Sequence, residues 1–247
     1  VKFEGEAVEY DDAQESYAVR YDHENIQRAF SITEEAFDDG LYDSQSRLKA
    51  DALGRSMAHT KQVKAAALFN NGFDPLKPIG DGAAFFSANH PTLSGPQSNY
   101  TNVDLSETAL ENAITAIQQF KDERGIFVGA KARLLVIPPQ LQFAAAKILN
   151  STLSTTTATN STTGITNVND INVLKAQSLM PEGYHVNRYL TDSDAWFIKT
   201  DVANGTKMFV RKPLTTTMEG DFDTGNLRYK AQERYSFGVS DWRGWWG

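Results

Sequence analysis

The side chains in this chain best suited to chemistry are carboxylates. Glu219, Asp221 and Asp223 lie close together near the C-terminus, with Asp201 ahead of them. Carboxylates so near one another could pair for general acid–base catalysis or hold a divalent cation. The stretch Asp221-Phe222-Asp223-Thr224-Gly225-Asn226 also has the make-up of a polar turn between strands, with Gly225 at its corner, and that reading is favoured. Asp122-Glu123-Arg124 reads in the same way as a solvated helix end. The histidines His23, His59, His90 and His185 fall in four unrelated segments without metal-ligand spacing. No Gly-x-Ser-x-Gly elbow, phosphate loop, dinucleotide fingerprint or His-Glu-x-x-His is present. With no cysteine, the chain lacks disulfides, thiolate metal sites and cysteine nucleophiles, which fits a protein made in a reducing cytosol. No catalytic, cofactor-binding or metal residue is assigned, and no cofactor is implied.

Two groups of aromatic side chains suggest binding instead. Trp242, Trp245 and Trp246 could form a carbohydrate platform, but three tryptophans in the last six residues are better explained by packing on the chain's own core or on a neighbour. Val8, Tyr10, Tyr17, Val19 and Tyr21 alternate on a charged segment without a core of its own, which favours self-association.

The elements that must position these groups follow from periodicity. Residues 1–40 read as a long hairpin, with strands at Ala7–Tyr10 and Tyr17–Tyr21 and with Glu24–Ile32 extending the return arm. From Asp43 or Ser44 a helix runs to Asn71, with Leu48, Ala52, Leu53, Met57, Val63, Ala67 and Leu68 apolar. At about 28 residues it is roughly 42 Å long. Residues 73–103 hold four of the eight prolines and form a loop insert around Ala83-Ala84-Phe85-Phe86. Ser106 caps a second helix ending at Arg124-Gly125, Arg133–Ile137 is a buried strand, and Gln140–Asn150 is helical after Pro139. Ser151–Asn167, almost all Ser, Thr, Asn and Ala, is expected to be a surface loop. Strands are expected at Ile171–Leu174, Tyr184–Leu190, Ala195–Lys199, Met208–Lys212, Leu214–Met218 and Asn226–Gly238. The sequons at Asn99, Asn150 and Asn160 are read as chance matches in a Thr- and Asn-rich chain.

The 247 residues can bury a full core, and the 40% apolar and 22% charged fractions are those of a globular chain without a membrane-spanning run. A net charge of -7 argues against general nucleic-acid binding, and an acidic inner surface would suit a container in which DNA must slide. The chain begins Val1-Lys2-Phe3, and a preceding segment is expected.

A set of stretches carries a family resemblance. These are Leu53-Gly54-Arg55-Ser56-Met57, Asp81–Pro91, Arg133–Pro139, Asn169–Leu174, Asp194–Ile198, and Asp221–Lys230 continuing through Glu233–Gly238. In order and spacing the chain resembles the major head subunit of Mu-like phages across nearly all of its length. The resemblance implies the α+β Hong Kong 97-type capsid fold: 1–40 extended-loop hairpin, 41–103 peripheral-domain spine helix and insert, 104–205 axial domain, and 206–247 returning peripheral strands. It implies a major capsid protein assembling into pentamers and hexamers of an icosahedral shell around double-stranded DNA. Its partners would be copies of itself with scaffold, portal and decoration proteins, without a membrane. Its place would be the virion capsid, assembled in the bacterial cytoplasm. An encapsulin-like compartment shell, a hydrolase using Glu219, Asp221 and Asp223, and a carbohydrate-binding module are the alternatives. The arm that precedes the extended loop in that family is absent or shortened here, and no Lys–Asn crosslinking pair is identified.

Overall fold

The computed structural model describes residues 17–40, 42–160 and 164–247, which form two main sheets joined by a long helix and a helix-free insert. The expected strand at Ala7–Tyr10 lies outside the described residues. Strand β1 (Glu24–Ile32) leads through a short helix α1 (Glu34–Asp38) into α2 (Tyr42–Asn70). Helix α3 (Glu107–Gln118), strand β2 (Ala132–Ile137), helix α4 (Gln142–Asn150), hairpin strands β3 (Leu153–Asn160) and β4 (Gly164–Ile171), and helix α5 (Val173–Ala176) follow. The chain ends in β5 (Tyr184–Val186), β6 (Phe197–Thr200), β7 (Thr206–Gly220), β8 (Leu227–Val239) and β9 (Trp245–Trp246).

The first sheet is antiparallel, in the order β1-β8-β7. Glu24–Ile32 does not extend a local hairpin: it pairs residue for residue with β8, from Glu24↔Tyr235 to Ile32↔Leu227. Residues 17–23 form no strand. The apolar content of Tyr17–Tyr21 is used by side chains that dock on the body, with the Tyr17 hydroxyl donating to the Ser240 carbonyl at 3.1 Å. The strands expected at Met208–Lys212 and Leu214–Met218 are one strand, β7. Its register against β8 shifts between Val210 and Thr215, around Pro213. Proline has no N–H to give a ladder, so it is tolerated because β7 is an edge strand and the chain is irregular there.

Helix α2 lies along this sheet. Leu53 and Met57 bury against Ala231 of β8 and the Ile26 and Phe30 side chains of β1. Leu48 and Val63, which share the apolar stripe, remain exposed. An ion pair reinforces the contact: Lys61 Nζ lies 2.6 Å from the buried Glu233 carboxylate and 5.3 Å from the centre of the Tyr235 ring. Burial, followed by the Glu233 charge, pushes the Tyr235 hydroxyl up to about 12.

The second sheet runs β5-β2-β6-β9, with β2 parallel to β5 and antiparallel to β6. Its core gathers Leu110, Ile114 and Ile117 of α3, Leu135 and Ile137 of β2, Ile198 of β6 and Trp242. Ser106 caps α3 as expected, accepting the Ala109 N–H at 3.1 Å. The helix stops at Gln118 and does not reach Arg124. Phe120 turns into the core, and the Asp122 carboxylate takes the N–H groups of Arg124 (2.8 Å) and Ile126 (2.9 Å), a local bond that competes with helix.

Ser151–Asn167 is not a plain loop. Most of it forms an antiparallel hairpin, with pairs running from Leu153↔Ile171 to Asn160↔Gly164. A run of β-branched threonines suits a paired strand even where little apolar area is available. The strand expected at Ile171–Leu174 ends at Ile171. There Asn172 caps α5, accepting the Lys175 N–H at 3.2 Å and donating to the Ile148 carbonyl. The Tyr184–Leu190 strand is limited to Tyr184–Val186, and the strand expected over Ala195–Lys199 covers Phe197–Thr200. The last residues do not stay with β7 and β8: Trp245 and Trp246 pair with Lys199 and Ile198 of β6.

Candidate functional site

Glu219, Asp221 and Asp223 border the single turn between β7 and β8, and Asp201 stands apart from them. Asp221 and Asn226 close a turn through backbone bonds, with Gly225 at φ +66° donating to the Asp221 carbonyl at 2.9 Å. The left-handed conformation is why glycine sits there. The Asp221 carboxylate accepts from the Thr224 hydroxyl at 2.6 Å and pairs with Arg228. Glu219 is exposed on β7, and Asp201 stands elsewhere, accepting the Lys131 N–H at 2.7 Å. No group of three or more His, Asp and Glu side chains able to hold a metal occurs among the described residues.

The histidines are separate from one another. The His59 ring packs edge-on against Tyr189 at 5.4 Å, and His185 is exposed on β5. His23 has one buried ring nitrogen without a partner. His90 is different, and sequence reasoning missed its role. Its Nδ1 lies 2.6 Å from the Asp81 carboxylate and its Nε2 lies 2.9 Å from Asn99 Oδ1. Asn99 Nδ2 faces the carbonyls of Phe85 (2.9 Å), Trp245 (3.2 Å) and Trp242 (3.3 Å). The amide orientation is thereby fixed, so Oδ1 accepts and His90 Nε2 donates to it. The ring also stacks on Trp242 at 4.4 Å and 5°.

This Asp-His-Asn chain resembles part of a catalytic relay, but His90 is 0% exposed. What it does is mechanical: it fastens the insert to the C-terminal residues. The Asp81–Pro91 stretch held two of its three members, and only the fold brings Asn99 and the tail to them. Complete burial of Asn99 also removes it as a glycan acceptor in the folded chain.

All three C-terminal tryptophans are buried, at 0%, 7% and 6% exposure for Trp242, Trp245 and Trp246. The carbohydrate-platform reading required open indoles and is overturned. Of the two packings expected, on the chain's own core or on a neighbour, the structure shows the first. Arg243 stacks over Trp242 and reaches the Lys121 carbonyl at 2.7 Å and Glu123 at 3.1 Å.

A cavity of about 510 Å³ lies where residues 19–24 cross α2 and the end of β8, with Lys64, Lys77 and Tyr235 in its wall. The suspected catalytic carboxylates do not line it. More informative is the apolar surface left open. Met208, Phe209, Val210, Leu214 and Met218 are exposed along β7, Ile126, Phe127 and Val128 along one turn, and Phe143, Leu153, Ile171 and Val173 around the base of the β3–β4 hairpin. Large exposed apolar patches mark surfaces that a partner covers. No helix among the described residues is long and apolar enough to cross a membrane.

The described residues make a mixed α+β chain with an extended edge strand and open apolar faces, features that suit association. Residues 17–246 match the phage capsid protein family, and the chain belongs to that family. Its role is structural, as a major capsid protein of the virion shell. Among solved structures, the fold is similar to that in "Mycobacterium phage Patience", with a TM-score of 0.53 and 11% identity over 97% of this chain and 75% of that one. It is also similar to the capsid of an empty GTA particle, with a TM-score of 0.50 and 14% identity over 91% and 72% of the two chains. A virus-like particle from Pyrococcus furiosus aligns at a TM-score of 0.49 and 12% identity, over 90% and 75%. No curated protein sequence matches the chain.

Proposed function

We propose that this chain is the major head subunit of a Mu-like tailed phage, tiling an icosahedral shell as hexamers and pentamers around double-stranded DNA. The family match over residues 17–246 carries this reading, and the open apolar faces of β7 and of the Ile126–Val128 turn support it. On this reading the fold is of the Hong Kong 97 type. Residues 41–103 with 206–247 form the peripheral domain, residues 104–205 the axial domain, and residues 1–40 the loop that reaches a neighbour. Helix α2 is the spine. Scaffold and portal proteins assist assembly in the bacterial cytoplasm, and the shell holds DNA without reading its sequence. The phage-head reading is preferred to an encapsulin-like compartment because the matched family is that of phage capsids.

Negative-stain electron microscopy with sedimentation velocity, over a range of concentrations, tests the proposal. Closed shells or free hexamers and pentamers are expected. A chain that stays monomeric at high concentration, with scaffold and the complete N-terminal segment supplied, overturns it.

A further inference from the structure

Residues 17–23 lead into β1 past the end of β8, but they do not join the sheet. The paired register begins at Glu24↔Tyr235, and among the described residues no backbone hydrogen bond ties 17–23 to the rest of the chain. Side chains hold the segment instead, and they converge on Ser240. The Tyr17 hydroxyl donates to the Ser240 carbonyl at 3.1 Å, and the Tyr21 hydroxyl lies 2.5 Å from Ser240 Oγ. Ser240 is itself fixed, since its N–H donates to the Gly205 carbonyl at 2.9 Å. The Tyr21 ring also meets Phe209 of β7 edge-on at 4.7 Å. Two glycines form the seat. A methyl group on Gly80 would stand 2.5 Å from Val19 Cγ2, and one on Gly238 would stand 2.6 Å from the Tyr21 ring, so each glycine leaves room for the side chain that lies on it. The Arg20–Asp22 ion pair, at 89% and 79% exposure, adds little hold because water screens it.

The seated segment also closes a cavity. Val19, Arg20 and Asp22 form part of the wall of the 510 Å³ space, together with Leu68 of α2, Phe85 of the insert and Phe237 of β8. A segment with no ladder bonds, held by two hydroxyls and a ring contact, belongs to the low-stability end of a structure, where local opening occurs without global unfolding. We propose that residues 17–23 are a lid that opens as a unit while both sheets stay folded, with Ser240 as its latch and the cavity beneath it. Tyr17 and Tyr21 share one serine, so the contacts at the two ends of the lid are made and lost together. Opening removes three residues from the cavity wall and admits solutes. The inference does not rest on the capsid reading, because the lid belongs to a single subunit.

Arg20 lies in the middle of the lid and supplies a trypsin site. A protease engages residues on both sides of the bond it cuts, so cleavage after Arg20 requires the lid to leave its seat, and its rate reports the open population. The measurement is timed proteolysis of the unassembled full chain, with mass spectrometry of the products, repeated in urea below the global transition. The parent is expected to be cut after Arg20 at least tenfold more slowly than a synthetic peptide of residues 14–26. That rate is expected to change little with urea, because a local opening exposes little surface. Tyr17→Phe/Tyr21→Phe keeps both rings and removes both hydroxyls. It is expected to be cut at least tenfold faster than the parent, with the same far-UV circular dichroism and a thermal midpoint within a few degrees. Ser240→Ala, which removes only the partner of Tyr21, is expected to fall between the two. A cleavage rate that climbs with urea as steeply as global unfolding overturns the proposal, because the lid then does not open alone. A parent cut as fast as the free peptide, or a double variant cut no faster than the parent, overturns it as well.

Discussion

Replacing Asn99 by leucine isolates the polar centre that joins the insert to the C-terminal residues. Leucine keeps the branched outline, so no cavity forms; its bulkier methyl groups add some overpacking, and most of the cost comes from groups left without partners. Three bonds are short and well placed: the Phe85 carbonyl and the Ser87 N–H at 2.9 Å each, and His90 Nε2 at 2.9 Å. The carbonyls of Trp245 and Trp242, at 3.2 and 3.3 Å, compete for the same amide group and count for less. A buried group left unmet costs about 1–3 kcal/mol, and backbone adjustment recovers some of this, so the expected loss is about 3–5 kcal/mol. Urea denaturation of the unassembled subunit provides the assay, followed by tryptophan fluorescence, since Trp242 stacks on the His90 ring. Asn99→Asp keeps the acceptor for Ser87 and His90 but turns a carboxylate oxygen toward three carbonyls, and is expected to be at least as damaging. A loss below about 1 kcal/mol for Asn99→Leu refutes the reasoning, because the five contacts would then be geometric accidents.

The spine helix gives a second expectation. Lys61→Met leaves the Glu233 carboxylate, 2% exposed, without its cation. Such a loss costs about 3–5 kcal/mol when both partners are fully buried; Lys61 is 35% exposed, so about 2–3 kcal/mol is expected by denaturant midpoint, while the double variant Lys61→Met/Glu233→Leu recovers most of it. Alkali gives a third. The Tyr235 hydroxyl titrates near 12 in the folded chain and near 10 in the unfolded one, so the folded state holds its proton more tightly. Its contribution is intact below pH 10 and is lost as the pH climbs toward 12. Tyr17, raised by burial and then by Asp241, acts in the same direction. Tyr235→Phe is expected to flatten the fall in stability between pH 10 and 12 and, since the hydroxyl has no hydrogen-bond partner among the described residues, to be neutral or stabilising at pH 7. Finally, a methyl group at Gly238 would stand 2.6 Å from the Tyr21 ring. Gly238→Ala is expected to displace residues 17–23 from the body, raising proteolysis at Tyr17–Tyr21 while leaving the thermal midpoint within a few degrees.

Elements with a strong local signal were legible from sequence. Helix α2 is set by a long proline-free run of helix-forming residues and its glycine stop, α3 by Ser106 at its start, and β2 by an apolar run bounded by Pro138-Pro139. The misreadings share a cause: a local polar bond or a long-range pairing outweighed the pattern. Asp122 and Asn172 each turned an expected continuation into a cap or a turn. Glu24–Ile32 found its partner two hundred residues away in β8, which no hairpin spacing signals. The threonine run at 154–159 was judged by apolar area, whereas a paired hairpin needs mainly backbone partners and β-branched side chains.

The candidate centre was less legible because its three polar members are brought together by the tail, not by their spacing. Asp81, His90 and Asn99 lie in one proline- and glycine-rich insert that carries no helix or strand. Backbone carbonyls from Trp242 and Trp245, arriving from the far end of the chain, are what give Asn99 its role. The same tail, through Arg243, steadies the turn bearing Ile126, Phe127 and Val128. A C-terminus of three tryptophans and an arginine thus orders the interior of the insert and an exposed apolar surface together. Exposed valine, isoleucine and phenylalanine add nothing to the core of a single copy, and a capsid protein works in contact with others. Association should therefore respond to damage in the tail even where the tail meets no neighbour.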